Sequence, residues 1–358
     1  MKTKFKKTNK QRTWRYLCTF AILCLSSYIT FGQTNPPVSP MLTGHYLPGI
    51  INIRDYANPS PASGLILIDY NAFLSGDKFY DKDGKRVTQI NGPLGVPIDL
   101  KPDVSGYVNS LNLFWASKSK IFGATYLGGV SMTYNTVNLN LAYSRIGIID
   151  GSNQSGEISG QVSGLSDLGF IPFLFSWSKK KFDITSGYMF YAPTGKYETG
   201  GDDNIGLGFW SHILQFNSYY YPLEIDCKPS KATAIMFSGN YELTSKIKDA
   251  DVTPGNRLSI DYGISQFLTD KLEVGIFGGN NWQVSKDKGS EVYWDETIKD
   301  KLGIAGVQMG YWFVPNRLQV TGKYGFNYGA VQQFKMNTFQ INLLFLTNAL
   351  TGNKQIKP

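Results

Sequence analysis

The sequence predicts an all-β fold, an antiparallel transmembrane β-barrel of about 12 strands (range 12–14), on three observations. Apolar and polar side chains alternate over long stretches, most plainly between Arg317 and Tyr328. There Leu318, Val320, Tyr324, Phe326 and Tyr328 share one parity, and Arg317, Gln319, Thr321, Lys323 and Asn327 the other. Successive side chains of a strand point to opposite faces, so such a strand has one apolar and one polar face. These stretches run to about a dozen residues, which suits a tilted strand crossing a bilayer better than the five or six usual in soluble sheets. Short and long connections also alternate between them, collecting tight turns at one end and long loops at the other.

Composition agrees with a surface that is not wholly aqueous. Of 358 residues only 17% are charged, while Tyr and Phe lead a 14% aromatic share; soluble domains ordinarily carry more charge. The net charge of +8 belongs to the first residues. Lys2, Lys4, Lys6, Lys7, Lys10, Arg12 and Arg15 precede residue 16 with no acid among them, which leaves about +1 for the rest. The basic balance is therefore a leader's signature, and no nucleic-acid partner is expected.

Taken in order, residues 1–32 read as a signal peptide: the basic start, an apolar stretch from Leu17 to Phe31, and small or polar residues near Gly32. Cys18 and Cys24 lie inside it, so the mature chain keeps Cys227 alone, which cannot form an internal disulfide. Residues 33–63 hold Pro36, Pro37, Pro40, Pro48, Pro59 and Pro61 and read as irregular chain, a candidate plug for the lumen. Residues 64–346 form the barrel and 347–358 a tail. No later stretch reaches the ~18 apolar residues of a membrane helix, so any crossing is made by strands.

Twelve strand-like segments follow: 64–75, 107–116, 120–149, 165–177, 181–192, 205–221, 232–245, 257–268, 271–284, 302–314, 316–328 and 334–346. The third is too long for a straight strand and is expected to bend near Asn135. Turns fall at 117–119, 178–180, 222–231, 269–270 and 315–316. Longer connections rich in Gly, Asp, Asn and Lys fall at 76–106, 150–164, 193–204, 246–256 and 285–301. The short set is expected in the periplasm and the long set outside.

Alternation alone does not separate a barrel in lipid from a soluble β-sandwich, which also hides one face of each strand. Aromatics near strand ends (Trp312-Phe313, Tyr219-Tyr220-Tyr221, Tyr324 to Tyr328) match interfacial girdles, and closure removes the open edges of twelve long strands. In the barrel reading Ala234, Ser238, Asn240 and Glu242 face the lumen from 232–245, and Arg257, Ser259, Asp261 and Ser265 from 257–268. Gly263, Gly306, Gly310 and Gly325 leave room inside. Arg257, Asp261, Lys323, Gln340 and Asn342 are the candidate lumen lining and solute-contacting residues.

Several short stretches also carry a family likeness: His45-Tyr-Leu-Pro-Gly, Asn52-Ile-Arg-Asp-Tyr, Ser75-Gly-Asp-Lys-Phe-Tyr-Asp81, Leu165-Ser-Asp-Leu-Gly169, Ala192-Pro-Thr-Gly-Lys-Tyr197 and Pro254-Gly-Asn. Together they resemble the MetA-pathway-of-phenol-degradation family of outer-membrane proteins over nearly the whole mature chain. The resemblance implies an outer-membrane barrel that admits hydrophobic or aromatic compounds. It carries over no set of substrate residues.

Residues with catalytic potential are sparse. His45 and His212 are the two histidines, too few for the usual zinc sites without Cys partners. Ser211 and His212 are adjacent, so on a strand they face opposite ways and cannot act as nucleophile and base. Asp81-Lys-Asp83-Gly84 mimics part of a calcium loop, but Phe79 and Ile90 stand where ligands belong, and a solvated turn is the simpler reading. No enzyme activity, cofactor or metal is expected. The expected function is passive uptake of small, hydrophobic or aromatic compounds across the outer membrane of a Gram-negative cell. The alternative is a non-conducting anchor, adhesin or receptor barrel, which a filled lumen would favour. The partners expected are outer-membrane lipids, a small-molecule solute and the barrel-assembly machinery.

Overall fold

A computed structural model describes residues 42–57, 64–91, 96–146, 152–201, 203–222 and 232–347. The leader, Cys227 and the tail beyond Thr347 lie outside the described residues. The strands are β1 Gly64–Tyr80, β2 Gln89–Asn91, β3 Pro97–Ile121, β4 Ala124–Ile146, β5 Asn153–Leu165, β6 Leu168–Ser178 and β7 Phe182–Ala192. They continue with β8 Ser211–Tyr220, β9 Thr233–Thr244, β10 Arg257–Phe267, β11 Leu272–Gln283, β12 Lys301–Val314, β13 Leu318–Val331 and β14 Gln333–Leu346.

Twelve of these strands close into an antiparallel barrel. Sequence neighbours pair from β6 to β14, β14 returns to β1, β1 pairs with β3, β3 with β4, and β4 with β6. The two others stand outside the ring: β2 on the first residues of β3, and β5 on the outer half of β4. Each of the twelve expected segments has its counterpart. The register also bears out the parity: Arg257, Ser259 and Asp261 are buried on β10 while Tyr262 and Ile264 are exposed.

Two stretches expected as open loops are strand instead. β1 and β3 extend through much of 76–106, and β5 occupies most of 150–164. The β5 sequence, Asn-Gln-Ser-Gly-Glu-Ile-Ser-Gly-Gln-Val-Ser-Gly-Leu, has neither face wholly buried, so apolar alternation has nothing to mark it. The long third segment, expected to bend near Asn135, runs through it as one strand and changes partners there. It pairs with β6 up to Ser131 and with β5 from Tyr134 on. β5 and β6 thus form one strand line, broken at Ser166–Asp167.

Large apolar side chains cover the outside of the wall, among them Phe237, Ile264, Ile276, Met309, Phe326, Phe339 and Ile341. Inside, the two ends differ. Toward the short turns the inward residues are mixed: Ile66, Ile68, Phe114, Leu127, Leu174, Ala234 and Met236 pack with Ile51 and Ile53, while Asp183, Ser265, Glu273 and Gln319 are polar. Toward the long loops they are polar. The lumen, expected to be polar, therefore has a partly apolar floor. At the other end the loops after β7, β9 and β11 pack together through Phe209, Ile247, Val252 and Trp294, with Trp294 Nε1 donating to Asp287 at 2.8 Å.

Candidate functional site

Residues 42–57 pass through the lumen and contact nearly every side of the wall. At the outer end Arg257 of β10 donates to the Leu42 carbonyl at 3.2 Å. Midway, Lys323 of β13 donates to the carbonyls of Gly49 and Ile51 at 2.7 and 2.6 Å. Gln340 of β14 shares the Gly49 carbonyl at 3.0 Å, and Asn342 donates to Asn52 Oδ1 at 2.7 Å. Asp261 of β10 accepts the Gly49 amide at 2.7 Å and the Tyr46 hydroxyl, and Gln308 of β12 accepts the Ile53 amide at 3.1 Å. Near the floor Arg54 pairs with Glu273 at 2.9 Å, and Tyr219 and Thr185 take the Tyr56 amide and carbonyl at 3.2 and 3.0 Å. A segment without a sheet of its own must satisfy its peptide groups somewhere, and here the inward side chains of the wall do so.

Glycines give the segment its path. Gly49 adopts φ 76°, and a Cβ there would sit 2.8 Å from Ile304, so both conformation and space demand glycine. The room that sequence reading expected at Gly263 is taken by Ile53, whose Cγ1 would lie 2.9 Å from an added Cβ.

The five candidate lining residues all face inward and are buried. They are brought together on one side, β10, β13 and β14, and each is engaged by protein: Arg257 by Asn281 and Asp300 as well as Leu42, the other four by the inner segment. Lys323 also stands 4.2 Å over the Phe277 ring.

Sequence reading missed the cluster around His45. Its ring stacks on Tyr191 at 4.5 Å, Nε2 lies 2.9 Å from Asp167 Oδ2, and Nδ1 lies 2.7 Å from Ser211 Oγ. The Ser211 hydroxyl donates to Glu242 Oε1 at 2.6 Å, and the same oxygen accepts the His45 amide at 2.9 Å. With its proton committed to Glu242, Ser211 accepts from Nδ1, and Nε2 donates to Asp167, a set that suits the imidazolium. Burial lowers the His45 pKa, but the hydrogen bonds to Asp167 and Glu242 outweigh it and hold it above the ordinary 6.5. Asp167 is held below its ordinary 3.8: burial opposes this, while His45 and the amides of Leu207 and Gly195 stabilise the carboxylate.

The order carboxylate, imidazole, hydroxyl is that of a nucleophile relay, yet Ser211 is completely buried and its hydroxyl donates away from the imidazole. The arrangement ties the inner segment to β8, β9 and the β5–β6 break. His212, as its parity requires, points the other way, bonding Tyr188 at 2.6 Å on the outer face. Asp81 caps its own turn by accepting the amides of Asp83 and Lys85.

Beside the His45 end of the segment lies a cavity of about 310 Å³. Leu74, Val108 and Leu207 give it an apolar side, and His45, Asn135 and Asp167 a polar one.

The family described as "Putative MetA-pathway of phenol degradation" matches residues 76–343. The chain belongs to this phenol-degradation family. Among solved structures, an outer membrane channel from Pseudomonas putida F1 is similar with a TM-score of 0.59 at 14% identity, covering 81% of this chain and 98% of that one. At that identity it shows the fold alone. A FadL homologue of Pseudomonas aeruginosa, at TM-score 0.37 and 10% identity over 78% of this chain and 89% of its own, is too distant to carry an argument. No curated protein matches the chain. This member of the phenol-degradation family has the fold of an outer-membrane barrel, and its inner segment precedes the part that the family description covers.

Proposed function

We propose that this barrel is a non-enzymatic channel of the Gram-negative outer membrane, passing small molecules by diffusion, with residues 42–57 as an internal plug that sets how far the lumen is open. The observation that carries the reading is the cavity of about 310 Å³ between the plug and the wall at the loop end of a closed barrel. Such a volume suits a small solute, and membership of the phenol-degradation family supports hydrophobic or aromatic compounds as its class. The five inward residues on β10, β13 and β14 influence passage by holding the plug and meet solute when it shifts. Lipids contact the apolar exterior, and the barrel-assembly machinery inserts the chain after removal of residues 1–32.

A second reading rests on the apolar floor around Ile51 and Ile53: a permanently closed barrel that presents its loops as a receptor or anchor. Reconstitution of the purified protein into planar bilayers and solute-loaded liposomes separates the two. Conductance together with uptake of small aromatic solutes is expected; a heat-modifiable, folded barrel with neither would transfer the case to the receptor.

A further inference from the structure

The two sides of the lumen treat the plug differently. Against β10–β14 its peptide groups are taken up by Asp261, Gln308, Lys323 and Gln340, and the described residues of that wall contain no buried side-chain atom without a partner. Across the lumen the plug is held near its two ends, by Glu242 at the His45 amide and by Tyr219 and Thr185 at Tyr56. Six buried side-chain atoms lack a partner, and all lie on β4, β8 and β9: Asn135 Oδ1, Ser131 Oγ, Glu242 Oε2, Asn240 Oδ1 and both polar atoms of Asn217. Ser131, Glu242, Asn240 and Asn217 are each at least nine-tenths buried.

The strand register puts these atoms at successive levels of the wall, with β6 and β7 between those on β4 and those on β8 and β9. Ser131 pairs with Gly169, Gly169 with Tyr191, and Tyr191 with Ser211, which places Ser131 at the level of the His45 cluster. Asn135 lies above it in the wall of the cavity. Glu242 is opposite Ile213, Asn240 opposite Gln215 and Asn217 opposite Ser238, each step lower on the wall. From Ser211 to Asn217 the descent is about 20 Å at strand rise. Below Asn217 comes Tyr219, whose hydroxyl holds the Tyr56 amide at the floor.

We infer that the plug parts from the β4–β8–β9 side of the wall and that a hydrated solute file opens there, from the outer cavity to Asn217. A buried polar atom left unpaired bears the full cost of its lost hydration, and natural interiors keep few of them. Six on one side of the lumen gain partners only where solvent or solute reaches them, as it does when the plug parts from this wall. Four of the six are carbonyl or carboxylate oxygens, so the file accepts hydrogen bonds. It suits small neutral or cationic solutes that carry hydroxyl or amine donors, and it rejects anions. Arg257 and Lys323, the cations expected to attract anionic groups, are committed to Asp300 and to the plug carbonyls. The last step into the periplasm needs the 54–57 end of the plug to yield.

The inference rests on the channel reading, and cysteine labelling tests the two apart. Cys18, Cys24 and Cys227 are replaced by serine, and single cysteines are placed at Asn217 and Asn240, and at Thr321 and Thr338 on the opposite wall. Folded barrel, selected by heat-modifiable mobility, is treated with 2-aminoethyl methanethiosulfonate or its anionic sulfonatoethyl counterpart, and labelling is read by mass. At least tenfold faster cationic labelling at 217 and 240 than at 321 and 338, with the anionic reagent slower at the first pair, is expected. Equal rates on the two walls, or no reaction at 217 and 240, would overturn the file. Because mass reads the label directly, variants that label as expected in a protein whose parent never conducts overturn the channel reading and leave the file standing.

Discussion

The His45 cluster holds the outer end of the plug by charge, so its strength must depend on pH in a calculable way. His45 has a folded pKa above its ordinary 6.5, so its contribution is complete below about 6.5 and is lost as pH rises through the raised value. Asp167 lies below its ordinary 3.8, so its contribution is complete above about 3.8 and fades as pH falls through the lowered value. The plug is therefore held best between those limits and loosens on both sides. The groups facing the imidazole from the packed elements are Asp167 before β6, Glu242 on β9, Ser211 on β8 and Tyr191 on β7.

Replacing His45 by Gln removes the cation and leaves two buried carboxylates facing an amide. Breaking a buried pair by deleting one partner costs about 3–5 kcal/mol. Since roughly 1.4 kcal/mol is tenfold, the plug should open on the order of a hundredfold or more as often. Hydrogen exchange of the 42–57 peptide, read by mass spectrometry in detergent and corrected for intrinsic rates, measures that opening. The parent should show greatest protection between about pH 4 and 6.5 and lose it on either side. His45→Gln should exchange far faster at pH 5.5 and lose the alkaline limb. An unchanged rate in the variant, or a flat profile in the parent, would show that the cluster holds nothing.

Other consequences are independent of that cluster. Gly263→Ala should loosen the plug by ~1–3 kcal/mol through overpacking against Ile53, and Ile53→Ala alone by about 2–5 kcal/mol; exchange in the double variant should fall well short of the sum, and additivity would mean the two residues do not meet. Ile276→Lys, on the outward face of β11, should cost roughly 2–4 kcal/mol if it sits near the bilayer midplane, read as loss of folded barrel in a urea titration; tolerance would question the lipid-facing parity. An epitope inserted after Gly201 should be accessible on intact cells and one after Lys179 inaccessible, and the reverse pattern would invert the barrel.

How far these features can be read from sequence depends on whether the relevant contact leaves a periodic trace. Alternation on 257–268 and 316–328 placed Arg257, Asp261 and Lys323 inward because one face meets lipid and the other does not, a constraint that acts at every second residue. What fills the inside leaves no such trace. Lys323 reaches Gly49 and Ile51 across more than 270 positions of chain, and a buried lysine looks the same in sequence whether its partner is a solute or a carbonyl. β5 escaped for the opposite reason, since with no fully buried face it has nothing to alternate. The signal that could have found the plug was in hand as motif. His45, Asn52 and Arg54 lie in the two stretches before the barrel that carry the family likeness, and Asp167 in the one at the β5–β6 break. In the structure His45 and Asp167 meet at 2.9 Å, and Asn52 and Arg54 grip β14 and β11. Three of the short stretches that carry the resemblance are thus contacts between a lumenal segment and its wall: two lie in the plug and one at the β5–β6 break, so they report how this barrel is filled before they report what passes through it.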